Sequence, residues 1–241
     1  RGLLLVICSA SVSFSKKRAP KKSAELNNPC SSFEDPDSVL SEGAALTSGG
    51  DARAAFACLQ AGVTKFPEFA DVWDAFGSAA ESVGLVDVAV SAFQQAIDLD
   101  PEYAIALLKL GNLHAGRDGD KESQLAAIEL FERVSTVRPD SAIPHNNRGL
   151  ALLRLKRLQE AQQAFEEGLA TAEQMGDLPG QAMVLNNLGL VHKELGRPDL
   201  AIEVFERARE HPNVEAHINL ANTLIETGAY EEAEKVMRAG L

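Results

Sequence analysis

Side chains that could carry chemistry are present, but their spacing matches no catalytic or metal-binding motif. The five histidines, His114, His145, His192, His211 and His217, are spread over separate segments of the chain. The sequence has no HExxH, no GxSxG, no phosphate-binding P-loop and no glycine-rich dinucleotide fingerprint. We therefore expect no catalytic residue, no metal site and no cofactor, and we interpret the chain as a non-enzyme.

Cysteine spacing and charge argue against two further classes of site. Cys8, Cys30 and Cys58 are odd in number, far apart and in no CxxC pair, so neither a disulfide framework nor a zinc site is expected. The net charge is −12, and residues 1–25 hold six of the 23 basic but only one of the 35 acidic residues. The other 17 basic and 34 acidic residues give a net charge of −17. Since nucleic acid binds basic surfaces, we do not expect it as a partner.

The elements that position these side chains are clearest between Ala70 and Pro101. Large and small apolar residues recur there at helical spacing, are interrupted by a glycine and then resume. Gly77 and Ala89 are small where two helices would approach closely, while Trp73 and Phe93 fill the adjoining space. The segment is therefore predicted to form two short helices joined by a tight turn, a helical hairpin.

This spacing resembles the tetratricopeptide repeat (TPR) family, whose repeat is a helical hairpin of 34 residues. The residues that carry the resemblance are Trp73, Phe76, Gly77, Ala80, Ala89, Phe93, Ala96 and Pro101. The small residue of the first helix recurs at Gly43, Gly77, Gly111, Gly149, Gly189 and Ala221, at intervals of 34, 34, 38, 40 and 32 residues. The resemblance implies an all-α fold, a right-handed α-solenoid of about six TPR hairpins that acts as a binding scaffold.

Two departures from the 34-residue period predict local differences. The polar stretch Arg117–Gln124 lengthens the third repeat, and we expect it to protrude as a loop. Residues 172–187 resemble the longer repeats of kinesin light chains. We therefore expect the helix that ends near Met175 to be about one turn longer than its equivalents.

In the TPR family, the first helix of each repeat lines a concave groove. Mapped onto this sequence, the resemblance implies partner-binding positions at Lys109, Asn112, Asn147, Arg154, Asn187, Lys193, Asn219 and Asn222. Asparagine is unfavourable inside helices because its amide competes for backbone hydrogen bonds, so its recurrence on one helix face needs a reason. Asn147, Asn187 and Asn219 share the sixth position of their repeats and resemble the asparagine ladder of O-linked N-acetylglucosamine transferases. Such amides would hold the backbone of an extended peptide; the alternative is that they pack between neighbouring repeats.

The first residues differ in composition from the repeats. Leu3–Phe14 is apolar and has the length of a signal-peptide core, and a segment rich in Lys and Arg follows it. We expect residues 1–25 to be a targeting segment, which resembles the bipartite presequences directed to secondary plastids. Residues 26–35 are expected to form a disordered linker, and residues 36–241 the repeats. A membrane anchor or an extension without an address are the alternatives for residues 1–25, so the predicted location is the secretory pathway or a plastid, with the cytoplasm as the alternative.

Together these patterns predict a non-catalytic scaffold that binds a partner protein or an extended peptide in its concave groove. Membrane association is not expected once the N-terminal segment is removed. Two alternatives remain: the recognition arm of a larger enzyme similar to the O-linked N-acetylglucosamine transferases, and an organellar assembly factor.

Overall fold

The computed structural model describes residues 33–117, 119–210 and 214–239, which form twelve helices and no strand. In chain order the helices are α1 (Pro36–Ser48), α2 (Ala52–Lys65), α3 (Ala70–Ser82), α4 (Val86–Leu99), α5 (Ala104–Ala115), α6 (Lys121–Val137), α7 (Ile143–Arg154), α8 (Leu158–Met175), α9 (Leu178–Glu194), α10 (Pro198–Ala208), α11 (Val214–Glu226) and α12 (Tyr230–Ala239). Consecutive helices pair into six hairpins, so the predicted all-α solenoid is confirmed. The targeting segment predicted at 1–25 and most of the linker predicted at 26–35 lie outside the described residues.

The core of each central hairpin is a phenylalanine packed against a glycine. Phe93, Phe131, Phe165 and Phe205 are fully buried on the second helices. A Cβ added to Gly149, on the first helix of the fourth hairpin, would lie only 2.6 Å from the Phe165 ring. The predicted pairing of small and large residues is therefore confirmed for the second to fifth hairpins. In the sixth hairpin the equivalent Met237 is 50% exposed, and no further helix covers it in the described part of the chain.

The helices form two layers. Odd-numbered helices of neighbouring hairpins contact each other, α1 with α3, α5 with α7, α7 with α9 and α9 with α11, whereas each even-numbered helix packs mainly against its odd-numbered neighbours. In a curved stack, the layer whose members approach most closely lies on the inner side. We therefore call the accessible surface of the odd-numbered helices the concave face.

The predicted loop at Arg117–Gln124 is shorter than expected. Only residues 116–120 separate α5 from α6, because Lys121–Gln124 form the first turn of α6. Asp120 caps this turn, and the Gln124 side chain donates to the Ala115 carbonyl oxygen at 2.9 Å. Since Gln124 is only 2% exposed, the extra residues lengthen a helix and do not form a protruding loop.

The prediction for the helix that ends near Met175 is confirmed. Helix α8 has 18 residues, one turn more than the 14 residues of α4. Gly176, with φ +66°, ends α8 in the left-handed conformation, and the Asp177 side chain then caps α9 by accepting from the Gly180 N–H at 3.0 Å.

Two further observations concern the chain as a whole. Contrary to the expectation from cysteine spacing, the fully buried Cys58 of α2 is disulfide-bonded. None of the helices in the described ranges combines the length and the apolar character that crossing a bilayer requires.

Candidate functional site

The eight predicted partner-binding residues lie in pairs on four consecutive odd-numbered helices. These pairs are Lys109 and Asn112 on α5, Asn147 and Arg154 on α7, Asn187 and Lys193 on α9, and Asn219 and Asn222 on α11. Asn112, Arg154 and Asn222 are exposed, while the other five are half-buried. The hairpins thus bring all eight to one side of the molecule, but their immediate partners differ.

Side-chain amides connect successive hairpins on the concave face. Asn187 Nδ2 donates to Asn146 Oδ1 at 2.7 Å, and Asn219 Nδ2 donates to Asn186 Oδ1 at 2.8 Å. The acceptors Asn146 and Asn186 are 3% and 6% exposed, so these bonds are largely shielded from water. We number each repeat so that Gly149 and its equivalents stand at position eight. In both bonds the side chain at position six of one repeat then donates to the side chain at position five of the preceding repeat. We call such a bond between hairpins a rung.

A charged rung joins the second and third hairpins. Lys109 Nζ lies 2.9 and 2.8 Å from the two Asp74 carboxylate oxygens and 2.8 Å from Ser78 Oγ. Asp74 is 8% exposed, and burial raises the pKa of its carboxyl although Lys109 acts in the opposite direction. Lys109 therefore forms an ion pair with a carboxylate of its own chain. The pair joins the same two positions, six and five of successive repeats, as the amide rungs do.

The rung between the third and fourth hairpins uses a different acceptor. Position five of the third repeat is Leu108, which cannot accept a hydrogen bond, and Asn147 Nδ2 donates to Asn112 Oδ1 at 2.9 Å. Asn146 Nδ2 in turn donates to Asn147 Oδ1 at 3.2 Å. Together with the rung from Asn187, these bonds form a continuous chain of four amides from α9 to α5. The side chains of Asn147 and Asn187 thus bond to amides of the preceding repeat.

The other two cations also have partners within the chain. Lys193 Nζ lies 3.0 Å from the Glu226 carboxylate, and Arg154 Nη1 donates to the Ala115 carbonyl oxygen at 2.7 Å. Sequence reasoning did not pair the lysines with Asp74 and Glu226, which lie 35 and 33 residues away. The signal was available, because each separation is close to one repeat and a comparison of adjacent repeats would have matched the charges.

The rungs leave part of the hydrogen-bonding capacity of the face unused. An asparagine side chain can donate two hydrogen bonds and accept two, and Asn222 makes no side-chain hydrogen bond to any described residue. A cavity of about 210 Å³ opens between α5 and α7. It is lined by Asn112, Asn147, Leu150 and Arg154, among others. Amides, a guanidinium group and an apolar side chain in one cavity can accommodate a peptide backbone together with one of its side chains.

Sequence comparison decides the family. Three models described as tetratricopeptide repeat match the chain, over residues 75–127, 140–213 and 193–241. The chain belongs to the tetratricopeptide repeat family. These matches include α5, α7, α9 and α11, so the candidate site lies on TPR hairpins. No curated protein sequence matches the chain significantly.

Solved structures share the TPR fold. MamA from Desulfovibrio magneticus RS-1 is 18% identical, with a TM-score of 0.64 over 74% of this chain and 95% of MamA. PilF from Pseudomonas aeruginosa is 16% identical, with a TM-score of 0.66 over 83% of this chain and 88% of PilF. Cut9, in the Cut9–Hcn1 hetero-tetramer of the APC/C, is 20% identical, with a TM-score of 0.63 over 86% of this chain and 40% of Cut9. At these identities the likeness extends to the fold alone.

Three of the five histidines occupy packing positions of the TPR hairpins. His114 and His192 stand where the TPR pattern has tyrosine, and His145 where it has tryptophan. Burial is the main cause that lowers the pKa of all three imidazoles, and neighbouring arginines lower it further. No group of three potential metal ligands occurs within the described ranges, and His211 is not among the described residues.

Proposed function

We propose that this chain is a non-catalytic interaction scaffold that binds an extended segment of a partner protein along the concave face of its third to sixth hairpins. The observation that carries the proposal is the row of side-chain amides on α5, α7, α9 and α11, which keep donors and acceptors free after the rungs have formed. TPR membership and the likeness to Cut9, which assembles with Hcn1, support a role in protein interaction.

The physical case rests on the chemistry of the peptide backbone. An extended segment presents N–H and C=O groups that need partners when they leave water, and an amide side chain can serve both. The rungs hold Asn147 and Asn187 in place before a ligand arrives, so less side-chain entropy is lost on binding. This preorganisation favours recognition of the backbone over recognition of a particular sequence.

The cations of the concave face add a second kind of contact in this proposal. The guanidinium group of Arg154 is exposed beside the cavity between α5 and α7 and can add a contact to an acidic group of the ligand. Lys109 and Lys193 reach such groups only by exchanging Asp74 and Glu226 for the ligand. Arg154 likewise has a partner within the chain, the Ala115 carbonyl oxygen, so each of the three cations must exchange an existing contact to bind an acidic residue of the ligand.

Selection of a phage-displayed library of random peptides on the full chain tests the proposal. Selected peptides are measured by fluorescence anisotropy against the parent, Asn222→Ala and Asn112→Ala. Removal of one hydrogen bond should weaken binding by about 0.5–1.5 kcal/mol. The matched control is Gln60→Ala, which deletes an exposed amide from the even-numbered helix α2 and should leave affinity unchanged.

Two outcomes would exclude the proposal. Unchanged affinity of both concave-face variants, with circular dichroism equal to that of the parent, would exclude this face as the site. Failure to select any peptide would exclude an extended segment as the ligand.

The triple variant Asn147→Ala, Asn187→Ala and Asn219→Ala is expected to lose about 2–4 kcal/mol of binding. It is less selective, because it also removes three rungs and so lowers stability.

A further inference from the structure

A second and larger cavity lies at the N-terminal end of the concave face, between α1 and α3. Its volume is about 510 Å³, against about 210 Å³ for the cavity between α5 and α7. Leu40, Ala44, Leu59 and Ala75 supply apolar walls. Ala75 holds position six of its repeat, where later repeats have asparagine, so no rung crosses from α3 to α1 and the space stays open.

The polar rim of this cavity carries one uncompensated negative charge. Asp74 lines the cavity, but Lys109 neutralises it at 2.8 Å. Asp71, nearly one helical turn earlier on α3, also lines the cavity, is exposed and has no ion-pair partner among the described residues. The Tyr103 hydroxyl donates a hydrogen bond to the Asp71 carboxylate, which can still accept further bonds. Burial of the ring raises the pKa of this hydroxyl, and the bond to Asp71 and the charge of Asp74 raise it further.

We propose that this cavity binds an arginine side chain of the partner peptide. The methylene stem lies along the apolar walls, as long cationic side chains do when only their charged head stays in water. The planar guanidinium group donates two parallel hydrogen bonds to the Asp71 carboxylate and lies against the Tyr103 ring. Arginine fits better than lysine because it combines a paired hydrogen-bond geometry with stacking on an aromatic ring.

This inference rests on the proposed function, because the arginine belongs to the same extended segment. It also predicts how charge is distributed along that segment. A basic residue lies at the α1–α3 end and an acidic residue lies near Arg154 on α7, further along the concave face. The net charge of −12 attracts the basic end during encounter.

The test uses N-acetyl-L-argininamide as the probe and its neutral isostere N-acetyl-L-citrullinamide as the control ligand. Each is titrated at millimolar concentration into the full chain, followed by amide resonances in two-dimensional NMR. We expect saturable shifts at Ala44, Ser78 and Tyr103 with the arginine derivative and none with the citrulline derivative. Asp71→Asn should weaken binding by roughly tenfold or more, because it removes a charged hydrogen-bond acceptor.

Two further variants keep the test specific. Glu81→Gln makes the same charge change at an exposed site on the same helix, about 15 Å along its axis, and should leave binding of the probe unchanged. Ala44→Phe fills the cavity from an exposed position and should abolish binding without disturbing the core. Absence of saturable shifts, equal shifts with citrulline, or unchanged binding by Asp71→Asn would each overturn the inference. Because the probe is a single residue, this result is independent of whether selected peptides bind along α5 to α11.

Discussion

Replacement of Gly149 by alanine tests the packing that sets the distance between the two helices of a hairpin. The added Cβ would lie 2.6, 2.7 and 2.8 Å from three atoms of the Phe165 ring, closer than real Cβ contacts come. Phe165 is fully buried, so its ring cannot move into solvent. Alanine can therefore fit only if α7 and α8 move apart or the ring leaves its preferred rotamer.

The expected change is a balance of two terms. Overfilling a packed core costs about 1–3 kcal/mol, while replacing glycine by alanine inside a helix gains about 1 kcal/mol. Because the added Cβ would overlap with three ring atoms, we expect a cost of about 2–3 kcal/mol, the upper half of that range. After the gain in helix propensity, the net loss of stability is about 1–2 kcal/mol. For a chain of this size, that loss corresponds to a decrease in Tm of about 2–8 °C.

Gly116→Ala is the matched control. Gly116 has φ −71°, and the nearest atom to its added Cβ would be 3.4 Å away, an ordinary contact. This change should raise stability by about 0.4–1 kcal/mol, because alanine restricts the unfolded chain. Adding Phe165→Leu to Gly149→Ala should recover part of the loss, since leucine vacates space that the Cβ needs. Thermal unfolding followed by circular dichroism measures all variants, and a gain in Tm for Gly149→Ala equal to that for Gly116→Ala would refute the reasoning.

Other perturbations test the core, the charged rung and the buried imidazoles. Phe93→Ala should cost about 3–5 kcal/mol, because it leaves a cavity at a fully buried site; an unchanged Tm would contradict this. Lys109→Met should cost about 1–3 kcal/mol by leaving the Asp74 carboxylate without its partner. Urea unfolding should show that adding Asp74→Asn recovers part of this loss, and strict additivity would argue against the rung. Acid should also destabilise the fold, because burial lowers the pKa of His192 below its ordinary value of 6.5. Below pH 6.5 the unfolded state therefore binds more protons than the folded state. The stability present above pH 6.5 is lost as the pH falls from that value through the lower pKa of the folded state. The slope for His192 is at most about 1.4 kcal/mol per pH unit, and a pH profile for His192→Leu parallel to that of the parent would disprove its contribution.

The sequence by itself determined the hairpins, because the signals that form them are local. Gly77 and Phe93 belong to one hairpin, so their pairing follows from helical spacing and a short turn alone. The same holds for α8, whose extra turn is visible as extra residues before the Gly176 stop. Family membership and the all-α fold follow from the recurrence of this pattern.

The prediction from local sequence was wrong for a polar segment whose composition suits either a loop or a helix. The stretch Lys121–Gln124 contains no apolar residue, and its composition favoured a protruding loop. In the folded chain, however, the Gln124 side chain donates to two carbonyl oxygens, that of Ala115 at the end of α5 at 2.9 Å and that of Arg117 in the following turn at 3.3 Å. Those bonds compensate for its burial, so α6 begins earlier than its composition suggested.

Only the tertiary structure decided what the polar residues of the concave face contact. Lys109 and Asn187 find their acceptors in the preceding hairpin, 35 and 41 residues away, and Asn147 turns to Asn112 because Leu108 offers no acceptor. An ammonium or amide group bonds to whichever acceptor lies within about 3 Å. The stacking of the hairpins sets that distance, and the residue types alone leave it open.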